Sequence, residues 1–181
     1  MSELDVVKVW EDLHQTPELG FQEVKTSAYI AQKLREMGYE VTEGVGKTGV
    51  VAYLRSGNPG PCVMLRADMD ALPFVIDGEH KAIHACGHDS HCAMLLAAAS
   101  RLVDKIKKGT LKLLFQPGEE TLKGALSVIE DGVLDDVDMA FGLHIRPVQD
   151  AADGQMVAAV CHTASGFFRI DVEGLSSHAS R

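Results

Sequence analysis

The N-terminal part of the chain contains two stretches in which apolar side chains recur every three or four residues. They cover residues 4–14 and 22–37, and this spacing predicts two amphipathic helices. Pro17 and Gly20 separate the two stretches, and Gly38 follows the second as a helix stop signal. We therefore expect the chain to begin with two helices that each place one apolar face against a core.

Short apolar runs bounded by turn residues predict strands along most of the remaining chain. Residues 62–67 and 111–115 are almost continuously apolar, which is typical of strands buried on both faces of a sheet. Less regular runs predict further strands at residues 40–45, 49–54, 139–144, 154–161 and 167–172.

Two more helices are predicted, at residues 89–107 and 125–129. The polar segment 68–85 shows no clear period and is expected to be irregular. Strands and helices mostly alternate along the chain, which is typical of an α/β fold in which helices cover a sheet.

Composition and charge narrow the class of protein. The chain has 181 residues, enough for one domain, and a formal net charge of −9, which argues against a basic nucleic-acid-binding face. The N-terminus lacks the pattern of a secretion signal, and the longest apolar run, residues 93–99, is too short to span a bilayer. We expect a cytoplasmic protein with reduced thiols, no membrane association and no nucleic-acid partner.

Cys86 and His88 lie two residues apart, just before a predicted helix. In an extended chain such residues point the same way, so both side chains can reach one ion. Thiolate and imidazole suit zinc and other first-row metals. One alternative is a buried cysteine beside a helix-capping histidine. Another is a thiol nucleophile with a histidine base, although nearby carboxylates would work against a thiolate.

Three predicted strands are followed or ended by Asp68, by Glu119 with Glu120, and by His144. Alone, each residue fits a solvated turn or a hydrogen-bonded histidine at a strand end. The carboxyl ends of strands are where α/β proteins place their sites, so the joint pattern favours a metal centre. Adjacent carboxylates diverge, so one glutamate can bind metal while the other acts as a base.

The motifs of the chain resemble the amidohydrolase branch of the M20 metallopeptidase family. That branch includes hippurate hydrolases, N-acyl-amino-acid amidohydrolases (aminoacylases) and plant auxin-conjugate hydrolases. The stretches that carry the resemblance are 14–21 (HQTPELGF), 47–50 (KTGV), 65–73 (LRADMDALP), 84–91 (HACGHDSH), 115–120 (FQPGEE), 142–144 (GLH) and 174–179 (GLSSHA).

The resemblance implies a three-layer α/β/α catalytic domain with a mixed sheet and an inserted α+β lid. Residues 1–161 would be the N-terminal part of the catalytic domain, and residues 162–181 the beginning of the lid.

The resemblance also implies two divalent ions, zinc or manganese, with cobalt and nickel as alternatives. Cys86 would bridge the ions, His88 and His144 would complete one ion, and Glu120 would bind the other.

The resemblance also assigns catalytic roles. Glu119 matches the general base, and Asp68 matches an acid that orients a ligand. His178 matches a lid histidine that polarises the scissile carbonyl, in some relatives across a dimer interface, so the family allows a homodimer through the lid.

The expected function is cleavage of the amide bond of N-acyl amino acids. Two alternatives remain open: a dipeptidase or carboxypeptidase of the same family, and a non-catalytic metal-binding fragment. The chains of the family are considerably longer and supply a last histidine ligand that has no counterpart after His178. We therefore expect this chain to be an N-terminal portion with one incomplete metal site.

Overall fold

The computed structural model of the protein describes residues 4–157, 169–171 and 173–174. Its internal contacts divide the chain into two compact units, Met1–Ile145 and Arg146–Arg181. The predicted domain boundary between residues 161 and 162 lies outside the described residues and stays a prediction.

The first unit contains all helices and strands of the described residues. The first elements are α1 (Val6–His14), α2 (Val24–Glu36), β1 (Glu40–Val45), β2 (Gly49–Arg55), β3 (Cys62–Asp68), β4 (Leu72–Ile76) and β5 (Glu79–Ile83). They are followed by α3 (His88–Leu102), β6 (Thr110–Gln116), a 3-10 turn (Glu119–Thr121), α4 (Gly124–Glu130) and β7 (Met139–Gly142).

Five strands form one mixed sheet in the order β1-β2-β6-β3-β7. β2 is antiparallel to β1 and β6, whereas β3 is parallel to both β6 and β7. The carboxyl ends of β3, β6 and β7 therefore meet at one edge, where Asp68 of β3 is in register with Gln116 of β6. The candidate metal-binding and acid–base residues were expected to converge at this edge.

Helices cover both faces of the sheet. α1, α2 and α3 enclose the larger core, whose fully buried members include Leu34, Leu96 and Phe115. α4 covers the opposite face, where Val128 packs with Leu114 of β6. The three-layer α/β/α architecture with a mixed sheet is thus confirmed.

Two carboxylates fix the starts of the N-terminal helices. Asp5 accepts hydrogen bonds from the Val7 and Lys8 N–H groups, both at 3.1 Å, and so caps α1. The side chain of Glu18 does the same for α2 from a distance, because it accepts from the N–H groups of Lys25 and Thr26. Since the first turn of a helix leaves its N–H groups without partners, these bonds explain where both helices begin.

The expectation that residues 68–85 are irregular is wrong, because β4 and β5 form a hairpin within them. Asp77 and Gly78 occupy its turn with φ of 53° and 79°, the geometry of a type I′ turn. Both strands are mostly exposed, so their side chains lack the alternation that marks a half-buried strand. The Asp77-Gly78 pair, which is typical of a type I′ turn, was the signal in the sequence for this hairpin.

The ends of α3 and β7 also differ from expectation. α3 ends at Leu102 because the chain must turn back to enter β6, and β7 ends at Gly142. β7 is an edge strand with exposed side chains, such as Phe141 at 58 % exposure, because it pairs with β3 alone among the described residues. His144 therefore lies in the loop that follows β7.

The described residues of the second unit contain no helix or strand. The strand predicted at residues 154–161 is absent from 154–157, and the one at 167–172 is absent from 169–171. The remaining positions of both lie outside the described residues. In addition, no helix in the described part of the chain is long and apolar enough to cross a membrane.

Candidate metal centre

Four loops at the carboxyl edge of β3, β6 and β7 bring the predicted site residues together. Asp68 ends β3, Glu119 and Glu120 form the 3-10 turn after β6, and His144 follows β7. α3 begins at His88, where Gly87 with φ of 84° turns the chain into the helix. The sheet topology thus explains why residues far apart in sequence become neighbours.

Three groups of possible metal-binding atoms share His88: one also contains Asp68 and His91, and the other two contain the predicted ligands. The ligand atoms of Cys86, His88 and His144 lie within 4.8 Å of one another, and so do those of His88, Glu119 and Glu120. Cys86 Sγ lies 3.6 Å from His144 Nε2. Sulfur, imidazole and carboxylate form a donor set that zinc and other divalent first-row ions accept.

Two buried atoms at the centre of these groups have no hydrogen-bond partner among the described residues. They are His88 Nε2 and Glu120 Oε1, which lie 3.8 Å apart. A buried polar atom without a partner costs about 1–3 kcal/mol. Divalent ions bound at these two atoms would satisfy both, so the residues present fit a divalent-metal centre.

Asp70 holds both of these ligands. Its Oδ1 lies 3.2 Å from Nδ1 of His88, and its Oδ2 accepts the backbone N–H of Glu120 at 2.9 Å. An imidazole whose Nδ1–H donates to a carboxylate leaves Nε2 free to bind metal. Sequence reasoning gave Asp70 no role, although its position two residues after Asp68 was a signal.

Asp68 contacts a histidine that the sequence analysis missed. Its Oδ1 lies 2.6 Å from Nδ1 of His91, and its Oδ2 accepts from Arg66 at 2.7 Å, whereas His88 Nε2 is 3.7 Å away. Burial alone would raise the pKa of Asp68, but the His91 hydrogen bond and the Arg66 charge outweigh it and lower the pKa to about 2.

His91 connects Asp68 to the loop that carries His144. Its Nε2 accepts the backbone N–H of Ile145 at 3.0 Å, while its Nδ1 faces Asp68. The chain just after His144 is thereby fixed against α3. The spacing of His88 and His91, one helical turn apart at the start of α3, was a signal for such a role.

The charges of the site act on two further groups. Burial, together with Glu120, Glu119 and Asp68, raises the pKa of the Cys86 thiol to about 12. Burial, together with the charges of Asp68 and Glu120, also raises the pKa of Glu119. A cation reverses the effect on the thiol by stabilising the thiolate, so Cys86 is better suited to metal binding than to acting as a free nucleophile.

One predicted site residue cannot be placed. His178 lies outside the described residues. The other six predicted residues lie at the sheet edge described above: Asp68, Cys86, His88, Glu119, Glu120 and His144.

Known proteins resemble the chain over nearly its whole length. It is 42% identical to hippurate hydrolase from Campylobacter jejuni, over 96% of this chain and 48% of that protein. N-acetyl-L-cysteine deacetylase from Bacillus subtilis is 40% identical, over 98% of this chain and 45% of its own. Thermostable carboxypeptidase 2 from Saccharolobus solfataricus is 41% identical, over 97% of this chain and 48% of its own. The chain thus spans just under half the length of these relatives.

A solved structure agrees with the sequence comparison. A Bacillus subtilis protein, described as a dinuclear metal-binding peptidase of family M20, matches with a TM-score of 0.72 and 39% identity. The match covers 78% of this chain and 42% of that one. Residues 64–179 also match the model of peptidase family M20/M25/M40. The chain therefore belongs to this family.

Proposed function

We propose that the protein is a metal-dependent amidohydrolase that cleaves the amide bond of N-acyl amino acids. The observation that carries the proposal is the pair of facing, unpartnered atoms, His88 Nε2 and Glu120 Oε1, beside the carboxyl group of Glu119. A metal position next to a carboxylic acid is the arrangement that hydrolysis by an activated water needs.

The two ligand groups support a centre for two divalent ions, which we expect to be zinc or manganese. Cys86 would bridge the ions, His88 and His144 would hold one of them, and Glu120 would hold the other. When bound, such ions polarise the amide carbonyl and lower the pKa of water towards neutrality.

Glu119 is the proposed general base. Its side chain is 38% exposed, so water can reach it, and an oxygen of its carboxyl group lies 3.9 Å from His88 Nε2. The raised pKa of Glu119 makes it a stronger base, which suits it to take a proton from water and later return it to the leaving amine. We assign Asp68 a positioning role, because it faces His91, which accepts the backbone N–H of Ile145 next to His144.

The names of the relatives support the substrate class. Hippurate and N-acetyl-L-cysteine are both N-acyl amino acids, and these words occur in the names of proteins with 42% and 40% identity. His178 is the residue we propose for polarising the substrate carbonyl. A carboxypeptidase or dipeptidase activity is the second candidate, because a relative with 41% identity is named a carboxypeptidase.

A substrate panel tests the proposal. The complete product of the gene would be loaded with Zn²⁺ or Mn²⁺, its metal content measured, and N-acetyl and N-benzoyl amino acids compared with dipeptides and longer peptides. We expect the acylated amino acids to be cleaved with the highest kcat/KM. A preference for peptides would support the second candidate, and bound metal without hydrolysis of either class would contradict both.

A further inference from the structure

Glu23 is a buried carboxylate that the proposed mechanism does not use. It lies just before α2, its exposure is 0%, and no basic side chain pairs with it among the described residues. Burying an unpaired carboxylate is unfavourable unless strong hydrogen bonds replace its water. The contacts that replace this water therefore indicate its function.

Both oxygens of Glu23 accept short hydrogen bonds. Oε2 accepts from the hydroxyl of Thr48 at 2.5 Å, and Oε1 accepts from the backbone N–H of Gly118 at 2.8 Å. Thr48 belongs to the loop between β1 and β2, and Gly118 immediately precedes Glu119. The carboxylate thus ties the residue before the proposed base to two other elements of the fold.

Gly118 determines the direction in which Glu119 leaves β6. Its φ of 58° is a left-handed conformation, and a Cβ at this position would lie within 2.9–3.1 Å of the ring of Phe21. Its carbonyl oxygen accepts the N–H groups of Thr121 and Gly124, at 3.2 Å and 3.1 Å. Glu23 satisfies the remaining polar group of this glycine, its N–H.

The backbone is held on both sides of Glu119. Glu23 binds the N–H of Gly118 and Asp70 binds the N–H of Glu120. The carboxyl group of Glu119 is partly exposed, so its position depends mainly on the backbone beneath it. Two buried carboxylates therefore fix the peptide from which the base projects.

We propose that Glu23 is a positioning residue for Glu119, acting through its hydrogen bond to the Gly118 N–H. The proposal rests on the proposed function for its kinetic consequence, but not for the contact itself. The two parts can therefore fail separately, and each is measured on its own.

Hydrogen exchange tests the contact in the protein itself. In Glu23→Ala the Gly118 amide loses its acceptor, so we expect its exchange to become at least about tenfold faster. Glu23→Gln should preserve the protection, because its amide oxygen can still accept from Gly118 while its NH₂ group donates to Thr48. Unchanged Gly118 exchange in Glu23→Ala would overturn the proposal.

Kinetics test the consequence. Glu23→Ala should lower kcat about 10- to 100-fold with KM changed less than about threefold, because a small displacement of a catalytic group is costly to rate. Metal content should stay normal, and Glu23→Gln should restore kcat to within about threefold of wild type. Equal losses in Glu23→Gln and Glu23→Ala would overturn the role that we assign to the hydrogen bond.

Asp138→Ala is the matched control. Asp138 also accepts a backbone N–H, that of Cys62 at 2.7 Å, but at the end of β3 opposite the site. We expect neither Gly118 exchange nor kcat to change in this variant, and a loss of kcat equal to that of Glu23→Ala would overturn the proposal.

A second variant keeps the test decisive if Glu23→Ala does not fold. Glu23→Asp retains the charge but is one methylene shorter, which draws its carboxylate away from the Gly118 N–H. It should show the same faster Gly118 exchange and lower kcat, and wild-type values in both measurements would overturn the proposal. If the wild-type protein hydrolyses no amide while Gly118 exchange responds as expected, the proposed function fails and the contact stands.

Discussion

At the residue scale, the side chains of the site have different roles, so each substitution is expected to remove a different property. Glu119→Gln keeps the size of the side chain but removes the proton acceptor. We expect kcat to fall at least about 100-fold while metal content, measured by elemental analysis, stays near the wild-type value. Near-normal turnover in this variant would show that Glu119 is not the base.

Asp70 is expected to control metal affinity. In Asp70→Asn the amide oxygen can accept one hydrogen bond, but the NH₂ group cannot accept the second, so either His88 or the Glu120 N–H loses its partner. We expect zinc affinity, measured by competition with a chelator, to fall about 10- to 100-fold.

Asp131→Asn is the control for this experiment, because Asp131 accepts the N–H of Gly46 and touches none of the proposed ligands. Its zinc affinity should match that of the wild type. An unchanged affinity in Asp70→Asn would contradict the role that we give to Asp70.

Asp68 makes a pH-dependent contribution to stability. Its folded-state pKa of about 2 lies below the value of about 3.9 in an unfolded chain, so its contribution is present above pH 4 and disappears as the pH falls towards 2. In chelator-treated protein, we expect the fall in unfolding free energy over this range to be about 2 kcal/mol smaller in Asp68→Asn. Equal falls, measured by urea denaturation, would contradict this assignment.

The residues that sequence reasoning missed were all missed for the same physical reason. Cys86, His88, Glu120 and His144 are residue types that commonly bind metal. Their places after strands or at the start of α3 made their convergence predictable. The contribution of Asp70, His91 and Glu23 lies in their partners: the N–H groups of Glu120, Ile145 and Gly118. Which backbone group faces which side chain is set by tertiary packing, and no local pattern encodes it.

At the element scale, the sequence predicted the buried strands and the helices best. β3 and β6 are buried on both faces, so their apolar runs were clear, and their ends were correct to within one residue. The β4–β5 hairpin and β7 were harder because their side chains are largely exposed. Burial is what imposes an apolar pattern on a strand, so elements with little burial leave a weak trace.

Lys112 of β6 shows how an element can bury a charge. Its exposure is 1%, its Nζ donates to the carbonyl of Val133 at 2.7 Å, and it also pairs with Asp136. Lys112→Ala would leave the carbonyl of Val133 without a partner and open a void. We expect it to lower the free energy of unfolding by about 2–3 kcal/mol, measured by urea denaturation.

Lys107→Ala is the control for this prediction, because Lys107 is exposed and, among the described residues, its Nζ bonds to the nearby carbonyl of Asp104 alone. Its effect should stay within about 0.5 kcal/mol. A similarly small effect for Lys112→Ala would show that the buried Lys112 side chain does not hold the 133–136 segment to β6.

At the scale of the whole molecule, the first unit exposes apolar side chains along and after its edge strand. They are Met139, Phe141, Leu143 and Ile145. An edge strand with exposed apolar side chains promotes association between chains. We expect the chain to self-associate as its concentration rises.

Phe141→Lys tests the association. We expect sedimentation velocity to show mainly monomer at concentrations where the wild-type chain associates, with zinc affinity unchanged. Association that persists unaltered would show that β7 is not the contact surface. Homodimer formation through a lid is a separate prediction, which concerns residues outside those described.

The β4–β5 hairpin has a practical consequence for engineering. It leaves the site two residues after Asp70 and returns one residue before His84, and the pairing of Leu72 with Ile83 closes the base. The hairpin can therefore be lengthened without changing the distances between the metal-binding residues. A peptide epitope or fluorescent label inserted between Asp77 and Gly78 should extend the hairpin into solvent without moving Asp70 or Cys86. The tip of this hairpin is thus the natural attachment point for a probe beside the metal centre.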